Sequence, residues 1–220
     1  LHIKKNDLQF KTDICLNTLY SYVDKGIFLN VTNKNLPVKS RRKKKNMRHI
    51  SGIAKKNLRG RSIEEREKDI LKRDISGHWE MDTVVGSQGG KKDCLLVLTE
   101  RKTRYEYIFK VPDKTQKSVV SVLDQIEKIY GYENFKKCFK TITMDNGVEF
   151  LDMSGVERSA THPGEKRTVA YYCHPYCSFE RGSNENQNKL IRRHIPKGTD
   201  IDTYTDTEVK EIETWINNYP

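Results

Sequence analysis

The sequence predicts a mixed α/β domain that begins near residue 76 and follows a basic N-terminal segment. Three consecutive strand-like segments, a helix-like apolar period after them, and later strands that alternate with helices lead to this prediction. The first 75 residues contain 20 basic and 8 acidic side chains, whereas the remaining residues contain 21 basic and 22 acidic ones. The net charge of +11 therefore belongs to the N-terminal third of the chain.

Composition limits the classes of protein to which the chain can belong. A chain of 220 residues can bury a core without disulfides, and its five scattered cysteines are typical of reduced thiols. No apolar run reaches the roughly 20 residues of a membrane span, and no signal peptide opens the chain. We therefore expect a soluble, cytoplasmic protein. Because the first residue is Leu1 and not Met, we expect a piece of a longer product.

Residues 1–32 are predicted to be part of a helix-turn-helix-like DNA-binding segment. Apolar residues recur at helical spacing from Ile14 to Val23, and Gly26 would end that helix. The polar residues Thr18 and Ser21 lie off the apolar face, where a recognition helix would place its base contacts. An ordinary amphipathic helix has the same pattern, so both interpretations remain open.

Residues 33–75 are predicted to be a basic linker that ends in a short helix. The linker has almost no apolar periodicity and contains the run Arg41, Arg42, Lys43, Lys44 and Lys45. Such a run neutralises DNA phosphates and adds salt-sensitive affinity without reading bases; the alternative is a solvated linker without a ligand. Ser62, with Glu65 three positions later, predicts the N-cap of a helix over 62–73.

From Gly77 the pattern becomes that of a sheet with flanking helices. Three strands in an antiparallel meander are predicted over 79–85, 94–99 and 105–111, with Gly89-Gly90 as the first turn. A helix over 119–130 and a fourth strand over 139–144 follow. A fifth strand is predicted over 169–173, and two further helices over 184–194 and 207–218.

Three acidic residues are candidates for catalysis because of their places in these elements. Asp82 lies inside the first strand, where a carboxylate is costly unless a cation meets it. Asp145 directly follows the fourth strand in a turn sequence, and Glu185 lies at the start of a helix. Alone, each has an ordinary structural explanation: an ion-paired strand residue, a common turn and a favourable helix-dipole acid. Together, in the order β-β-β-α-β…α, they indicate the ribonuclease-H-like arrangement.

If the first and fourth strands are neighbours, Asp82, Asp145 and Glu185 can converge on one point. Hard oxygen ligands at such a point bind Mg²⁺ or Mn²⁺. Two such ions about 4 Å apart align the attacking and leaving oxygens for displacement at phosphorus. The sequence therefore predicts these three residues as both catalytic and metal-binding.

Three blocks of the core carry a family resemblance. They are Gly77-His78-Trp79-Glu80-Met81-Asp82-Thr83, Asp145-Asn146-Gly147-Val148-Glu149-Phe150, and the run from Glu180 through Asn188 to Asp200. The blocks resemble the IS-thirty family of bacterial insertion-sequence transposases, and the resemblance covers Gly77 to the end of the chain. It implies a DDE transposase with an integrase catalytic core over 76–220 and its triad at Asp82, Asp145 and Glu185.

The resemblance also implies a reaction and its partners. The expected chemistry is metal-assisted hydrolysis at the transposon end, which exposes a 3′-hydroxyl, followed by attack of that hydroxyl on target DNA. The expected partners are the inverted repeats, the target DNA and further copies of the chain, in association with the bacterial nucleoid. The alternatives are a catalytically inactive DNA-binding remnant and a ribonuclease-H-like nuclease acting on RNA–DNA hybrids.

The third acid has a rival in Glu180. Asp145 is separated from Glu180 by 34 residues, which is close to the integrase spacing, and from Glu185 by 39. The Gly-x-x-Glu pattern of Gly182 to Glu185 is also similar to integrases, and a loop can absorb additional residues. Glu185 is therefore preferred.

Two further interpretations concern residues in and near the predicted helix over 184–194. Lys189 and Arg192 follow Glu185 at i+4 and i+7, so they are predicted to share its face and hold the DNA end, unless that face is merely solvated. A zinc site from Cys173 and Cys177 with His162 and His174 is a minor alternative, because the spacing fits no common zinc finger.

Overall fold

The computed structural model describes residues 14–28, 30–36, 60–87, 93–174 and 178–219. They fall in two compact units, one up to Gly52 and one from Ile53 to Tyr219. The predicted basic run Arg41 to Lys45 and the predicted Gly89-Gly90 turn lie outside the described residues.

The first unit contains the predicted helix, α1, which spans Leu16–Asp24. Gly26 follows it with a φ of +66°, a left-handed conformation that ends a helix and suits glycine. Val23 is buried, whereas Leu16 and Leu19 are exposed, so the predicted apolar face is only partly covered. The assignment of this helix to a DNA-binding unit stays a prediction.

The second unit is built on a five-stranded sheet. Its strands are β1 His78–Val85, β2 Cys94–Glu100, β3 Glu106–Val111, β4 Thr141–Met144 and β5 Val169–Tyr172. Their spatial order is β3-β2-β1-β4-β5. The first three strands pair antiparallel, as predicted, and β4 pairs parallel with both β1 and β5. The central strand β1 therefore has β4 as its direct neighbour.

Five α-helices flank this sheet in the described part of the second unit. They are α2 Gln116–Tyr130, α3 Tyr132–Cys138, α4 Met153–Glu157, α5 Gly182–His194 and α6 Asp206–Asn217. The three longest are the predicted ones, whereas α3 and α4 were not expected. Among the described residues, no helix is both long and apolar enough to span a membrane.

The side chains of the central strands alternate between two apolar cores, one on each face of the sheet. On β2, Leu96 belongs to the core under α2 and α3, whereas Leu95 and Val97 belong to the core under α5 and α6. Burial on both faces explains the unbroken apolar run of β2. On β1, Met81 points into the first core, so Asp82 lies on the opposite face, the one that α5 covers.

The segment before β1 differs from the prediction. Instead of one helix over 62–73, it forms two 3₁₀ turns, Ile63–Glu65 and Lys68–Lys72. The predicted N-cap is present at Ser62. The helix does not continue because Arg66 has an extended backbone and turns its side chain into the protein, where it is buried.

Helix α6 covers the outer edge of β3. The Glu106 N–H donates to Asn217 Oδ1 (2.7 Å), and Asn217 Nδ2 donates to the Glu106 carbonyl (2.9 Å). The Ile108 N–H donates to Glu213 Oε2 (2.9 Å). These side chains take positions that the backbone of another strand would otherwise fill.

Candidate active site

The structure brings Asp82 and Asp145 to one point, and we call them the Asp pair. Because β1 and β4 are parallel, with Glu80 opposite Thr143, the residues two positions further along both chains lie side by side. Arg181 Nη1 is 3.2 Å from Asp82 Oδ1, and its Nη2 is 3.0 Å from Asp145 Oδ2. One guanidinium therefore bridges both carboxylates.

Arg181 is the cation that a carboxylate inside a central strand requires. Its side chain is buried, at 9% exposure, and also donates to the Met81 carbonyl (3.1 Å). Burial lowers the pKa of the guanidinium, but the nearby Asp pair more than offsets this, so the pKa lies above its ordinary value. The sequence analysis did not single out Arg181, although it stands within the third family block.

Helix α5 lies along β1 and supplies the remaining contacts. Successive turns of the helix contact β1 further and further along the strand. Asn184 Nδ2 donates to the Glu80 carbonyl (3.3 Å), and Asn188 Nδ2 donates to Asp82 Oδ2 (2.9 Å). One turn later, Arg192 Nη2 donates to the Val85 carbonyl (2.7 Å). The Thr83 N–H also donates to Asp82 Oδ1 (2.9 Å). The Asp82 carboxylate is thus fixed from both the strand and the helix.

The turn after β4 holds the Asp145 carboxylate. The Gly147 N–H donates to Asp145 Oδ1 (2.9 Å), and Asn146 Nδ2 donates to the Cys173 carbonyl (2.8 Å). A Cβ at Gly147 would lie 2.6 Å from Glu149 Oε2 and 2.9 Å from Asp145 Oδ1. A larger residue at position 147 would therefore have to displace one of these two carboxylates.

The part of the sequence that forms the sheet matches a known domain family. Residues 75–171 match the family model described as the integrase core domain. Residues 75–171 of this chain thus resemble an integrase core domain. The predicted ribonuclease-H-like α/β fold is confirmed by this match together with the mixed five-stranded sheet.

Several curated proteins that are similar to this chain are named as transposases of insertion sequences. The chain is 35% identical over 203 residues to the "Probable transposase for insertion-like sequence element IS1161" of Streptococcus salivarius, which covers 92% of this chain and 54% of the relative. It is 33% identical over 158 residues to the transposase for element IS4351 of Bacteroides fragilis, covering 72% and 44%. It is 32% identical over 163 residues to transposase InsI for element IS30A of Escherichia coli, covering 74% and 39%.

The predicted resemblance to the IS-thirty, or IS30, family is therefore confirmed over most of the chain. The chain spans about half the length of the curated relatives it matches.

The third predicted acid of the integrase core, Glu185, lies on α5. It is four residues after Arg181 and three before Asn188, and both of these contact Asp82. Residues three and four apart share a helix face, so position 185 lies on the face that covers β1. The Glu185 side chain itself is outside the description, and its role stays a prediction.

The rival acid, Glu180, has a different set of contacts. Its carboxylate accepts a hydrogen bond from the His174 N–H (2.8 Å) and lies 2.7 Å from His174 Nδ1. His174 Nε2 is 3.1 Å from Glu64 Oε1. The pKa of His174 is raised, mainly through the hydrogen bond to Glu180. Glu180 is thus occupied by His174, whereas Arg181 next to it turns to the Asp pair.

The predicted DNA contacts on α5 differ from each other. Lys189 is exposed, and its Nζ donates to Asn186 Oδ1 (3.0 Å). Arg192 is partly buried and is tied to the end of β1 through Val85. Burial lowers the pKa of the Arg192 guanidinium. Lys189 is therefore the more accessible of the two predicted contacts.

The alternative zinc site finds no support among the described residues. His162 stacks on the Tyr132 ring, with centroids 4.4 Å apart, whereas His174 contacts other residues. Cys173 is buried, which raises the pKa of its thiol to about 12 and disfavours the thiolate that zinc requires. Cys177 lies outside the described part of the chain.

The oxygen atoms around the Asp pair suit a small divalent cation. Asn146 Oδ1, Glu149 Oε2 and Asn188 Oδ1 are buried and lack a hydrogen-bond partner. Carboxylate and amide oxygens are the hard ligands that Mg²⁺ and Mn²⁺ prefer. No three His, Cys, Asp or Glu side chains form a metal cluster within the described residues, which exclude the side chain of Glu185.

Proposed function

We propose that this chain contains the catalytic part of a DDE transposase, which cleaves the ends of an insertion sequence and joins the 3′-hydroxyl to target DNA. The observation that supports this function best is the bridged Asp pair on neighbouring strands of an integrase core. Proteins similar to the chain are named as transposases for insertion sequences.

Asp82, Asp145 and Glu185 are the proposed ligands of Mg²⁺ or Mn²⁺, with two ions in the complete site. When bound, such ions stabilise the charge that develops on the attacking and leaving oxygens at phosphorus. The unpartnered oxygens of Asn146 and Asn188 fit the same environment.

The protein's own groups prepare this site. The Thr83 N–H and Asn188 orient the Asp82 carboxylate, and the Gly147 N–H orients that of Asp145. Arg181 offsets one of the two negative charges of the Asp pair, and it would have to leave at least one carboxylate for an ion to bind there. Orientation of ligands before binding lowers the cost of assembling the site.

DNA is the proposed substrate and partner. Lys189, Arg192 and the basic run Arg41, Arg42, Lys43, Lys44 and Lys45 are the proposed contacts to its phosphates. Such contacts position the duplex, whereas base contacts select the sequence. Because two transposon ends have to be brought together, the active form is proposed to be a homo-oligomer.

The direct test is cleavage of labelled DNA. The protein is mixed with Mg²⁺ and either a duplex that carries the inverted repeat or a matched RNA–DNA hybrid. Cleavage at the duplex end is expected. We expect Asp82→Asn and Asp145→Asn to lower the rate by at least about 10³-fold while DNA affinity persists, because each change removes a charged ligand but keeps the shape. Cleavage of the hybrid alone would indicate a ribonuclease H, and binding without cleavage would indicate an inactive remnant.

A comparison of two variants tests which glutamate is the third metal ligand. Glu185→Gln is expected to abolish cleavage, whereas Glu180→Gln should retain it, since the Glu180 carboxylate is engaged by His174. The opposite result, with full activity in Glu185→Gln and loss in Glu180→Gln, would transfer the role to Glu180.

A further inference from the structure

A cavity of about 530 Å³ lies beside the candidate active site. Two aliphatic side chains line it, together with the charged or titratable residues Arg66, Arg73, Arg101, His174, Glu64 and Glu180. We call it the arginine cavity. Its volume is in the range of ligand-binding pockets.

Arg66 is the unusual member of the lining. It is only 6% exposed, and its Nη1 donates to the neutral Thr143 hydroxyl (3.0 Å). It forms no ion pair with any carboxylate among the described residues. Burial lowers the pKa of its guanidinium, and the positive charge of Arg101 adds to this effect. Attraction by Glu80 and Glu180 offsets this cost only in part, so an anion placed directly against Arg66 would stabilise its charge.

The acids nearby are already committed to other groups. Glu80 forms an ion pair with Arg101 and accepts a hydrogen bond from the Asn184 N–H (2.9 Å). Glu64 and Glu180 both contact His174, with distances of 3.1 and 2.7 Å to its ring nitrogens. Of the three guanidiniums in the lining, Arg101 is paired with Glu80, whereas Arg66 and Arg73 form no ion pair among the described residues.

The arginine cavity is next to the Asp pair in the fold. Glu80, which holds Arg101, is two positions before Asp82 on the same face of β1. Glu180, which lines the cavity, directly precedes Arg181, which bridges the Asp pair. An anion in the cavity would therefore lie on the same side of the sheet as the candidate catalytic groups, next to the segment that carries Arg181.

We propose that the arginine cavity binds a backbone phosphate of the DNA strand held at the active site, with Arg66 and Arg101 as its inner charges and Arg73 at its exposed rim. This inference rests on the proposed function, which supplies the DNA. Arginine suits the task because its planar fork matches phosphate oxygens. The two aliphatic walls, Ile63 and Leu71, suit the sugar that follows the phosphate.

The test separates a ligand role from a structural one through two readouts of the full chain. In Arg66→Met the side chain keeps an unbranched apolar stem but loses the charged guanidinium. DNA affinity, measured without divalent cations, is expected to fall about tenfold, as for the loss of one charge-assisted hydrogen bond. The slope of log K against log salt should fall by about 0.9. Thermal stability should remain equal or increase, because a buried charge without a direct ion pair is removed.

Arg73→Gln is the second variant, because Arg73 is exposed and its loss cannot prevent folding. It is expected to lower DNA affinity by a smaller factor. Arg66→Lys should retain part of the affinity. Lys128→Met is the matched control: Lys128 is exposed on α2, on the other side of the sheet, and its variant should bind DNA as the wild type does.

The outcomes are distinct. Wild-type affinity in both Arg66→Met and Arg73→Gln, in a preparation that cleaves DNA, would overturn the phosphate site and leave the proposed function standing. Loss of stability in Arg66→Met with unchanged DNA affinity would make Arg66 structural. Stabilisation of the wild type by inorganic phosphate, with no change of DNA affinity in the variants, would indicate a small-anion site instead. A wild type that neither binds nor cleaves DNA would remove both proposals.

Discussion

The carboxylates of Asp82 and Asp145 are held together by neutral and positive donors of the protein. A backbone N–H fixes each of them, from Thr83 and from Gly147, and Arg181 screens their mutual repulsion. A divalent cation and the Arg181 guanidinium would use the same carboxylate oxygens. The two should therefore compete.

This competition can be measured in Arg181→Met. Without metal, the two carboxylates of the Asp pair would repel each other with no positive charge between them. We therefore expect the free energy of unfolding to fall by about 1–3 kcal/mol. The affinity for Mg²⁺, followed by titration calorimetry, should increase by about tenfold or more, because no guanidinium has to be displaced.

The control is Arg158→Met. Arg158 forms an ion pair with Asp124 (2.9 Å) in which it is about half exposed. Its loss should change stability by no more than about 0.5 kcal/mol and leave metal affinity as it is. Unchanged Mg²⁺ affinity in Arg181→Met would show that the guanidinium does not occupy the metal position.

The sequence predicts some, but not all, of the residues of the candidate active site. The positions of Asp82 and Asp145 follow from strand alternation and from the strand-end turn, and the structure brings both residues together. Arg181 and Asn188 could not be assigned, since their roles depend on which face of α5 meets β1. Packing between elements that are distant in sequence decides which face that is, and the periodicity of apolar residues alone does not reveal it.

Secondary-structure elements with a long, regular pattern were predictable to within a few residues. Strand alternation located β1 and β3, and the apolar period located α2. Helix α4, Met153–Glu157, is too short to show a period, and α3 begins one residue after Gly131, so it resembles a continuation of α2. The expected helix over 62–73 fails because burial of one arginine overrides local helix preference.

The contact between β3 and α6 contains two acids. Glu106 is fully buried, and both of its carboxylate oxygens lack a hydrogen-bond partner. Burial raises its pKa to about 8, and the nearby Glu213 contributes by repulsion. Glu213 also accepts the Ile108 N–H and forms an ion pair with Lys210.

A pH dependence of stability follows from Glu106. Between its ordinary pKa of 4.5 and the folded value of about 8, the folded state holds a proton that the unfolded state has lost. Stability should therefore fall as the pH rises through this window. Glu106→Gln should remove that dependence and be more stable than the wild type at pH 8 by about 1–4 kcal/mol, with little difference near pH 4.

Urea unfolding at several pH values measures this effect. Glu211→Gln, at an exposed position of α6, serves as the control and should keep the wild-type dependence on pH. A Glu106→Gln curve that runs parallel to the wild type over pH 5–8 would contradict a raised pKa at this position.

Across the whole molecule, positive charge and candidate catalytic groups occupy different parts of the chain. The first 75 residues carry the excess of basic side chains, whereas Asp82 and Asp145 belong to a part with nearly balanced charge. An acidic centre acting on a polyanion benefits from a separate basic region that attracts the substrate.

Neutralising Arg41, Arg42, Lys43, Lys44 and Lys45 with glutamine tests that division. Affinity should fall alike for all duplexes, and the slope of log K against log salt should flatten by up to about 0.9 per lost phosphate contact. Mg²⁺ affinity should not change. Three exposed lysines of α2 and α3 provide the comparison, at Lys117, Lys128 and Lys137, and their neutralisation should have little effect. A loss confined to one DNA sequence, with the salt slope intact, would show that the run reads bases.

The covering of β3 by α6 determines how far the second unit can be shortened. A fragment limited to 75–171, the stretch that matches the integrase core model, would lack Asn217 and Glu213 and leave the N–H and C=O groups of β3 open. Unprotected strands of this kind pair with one another between molecules. Such a fragment is expected to aggregate on expression, and a minimal crystallisable core has to extend at least through Asn217.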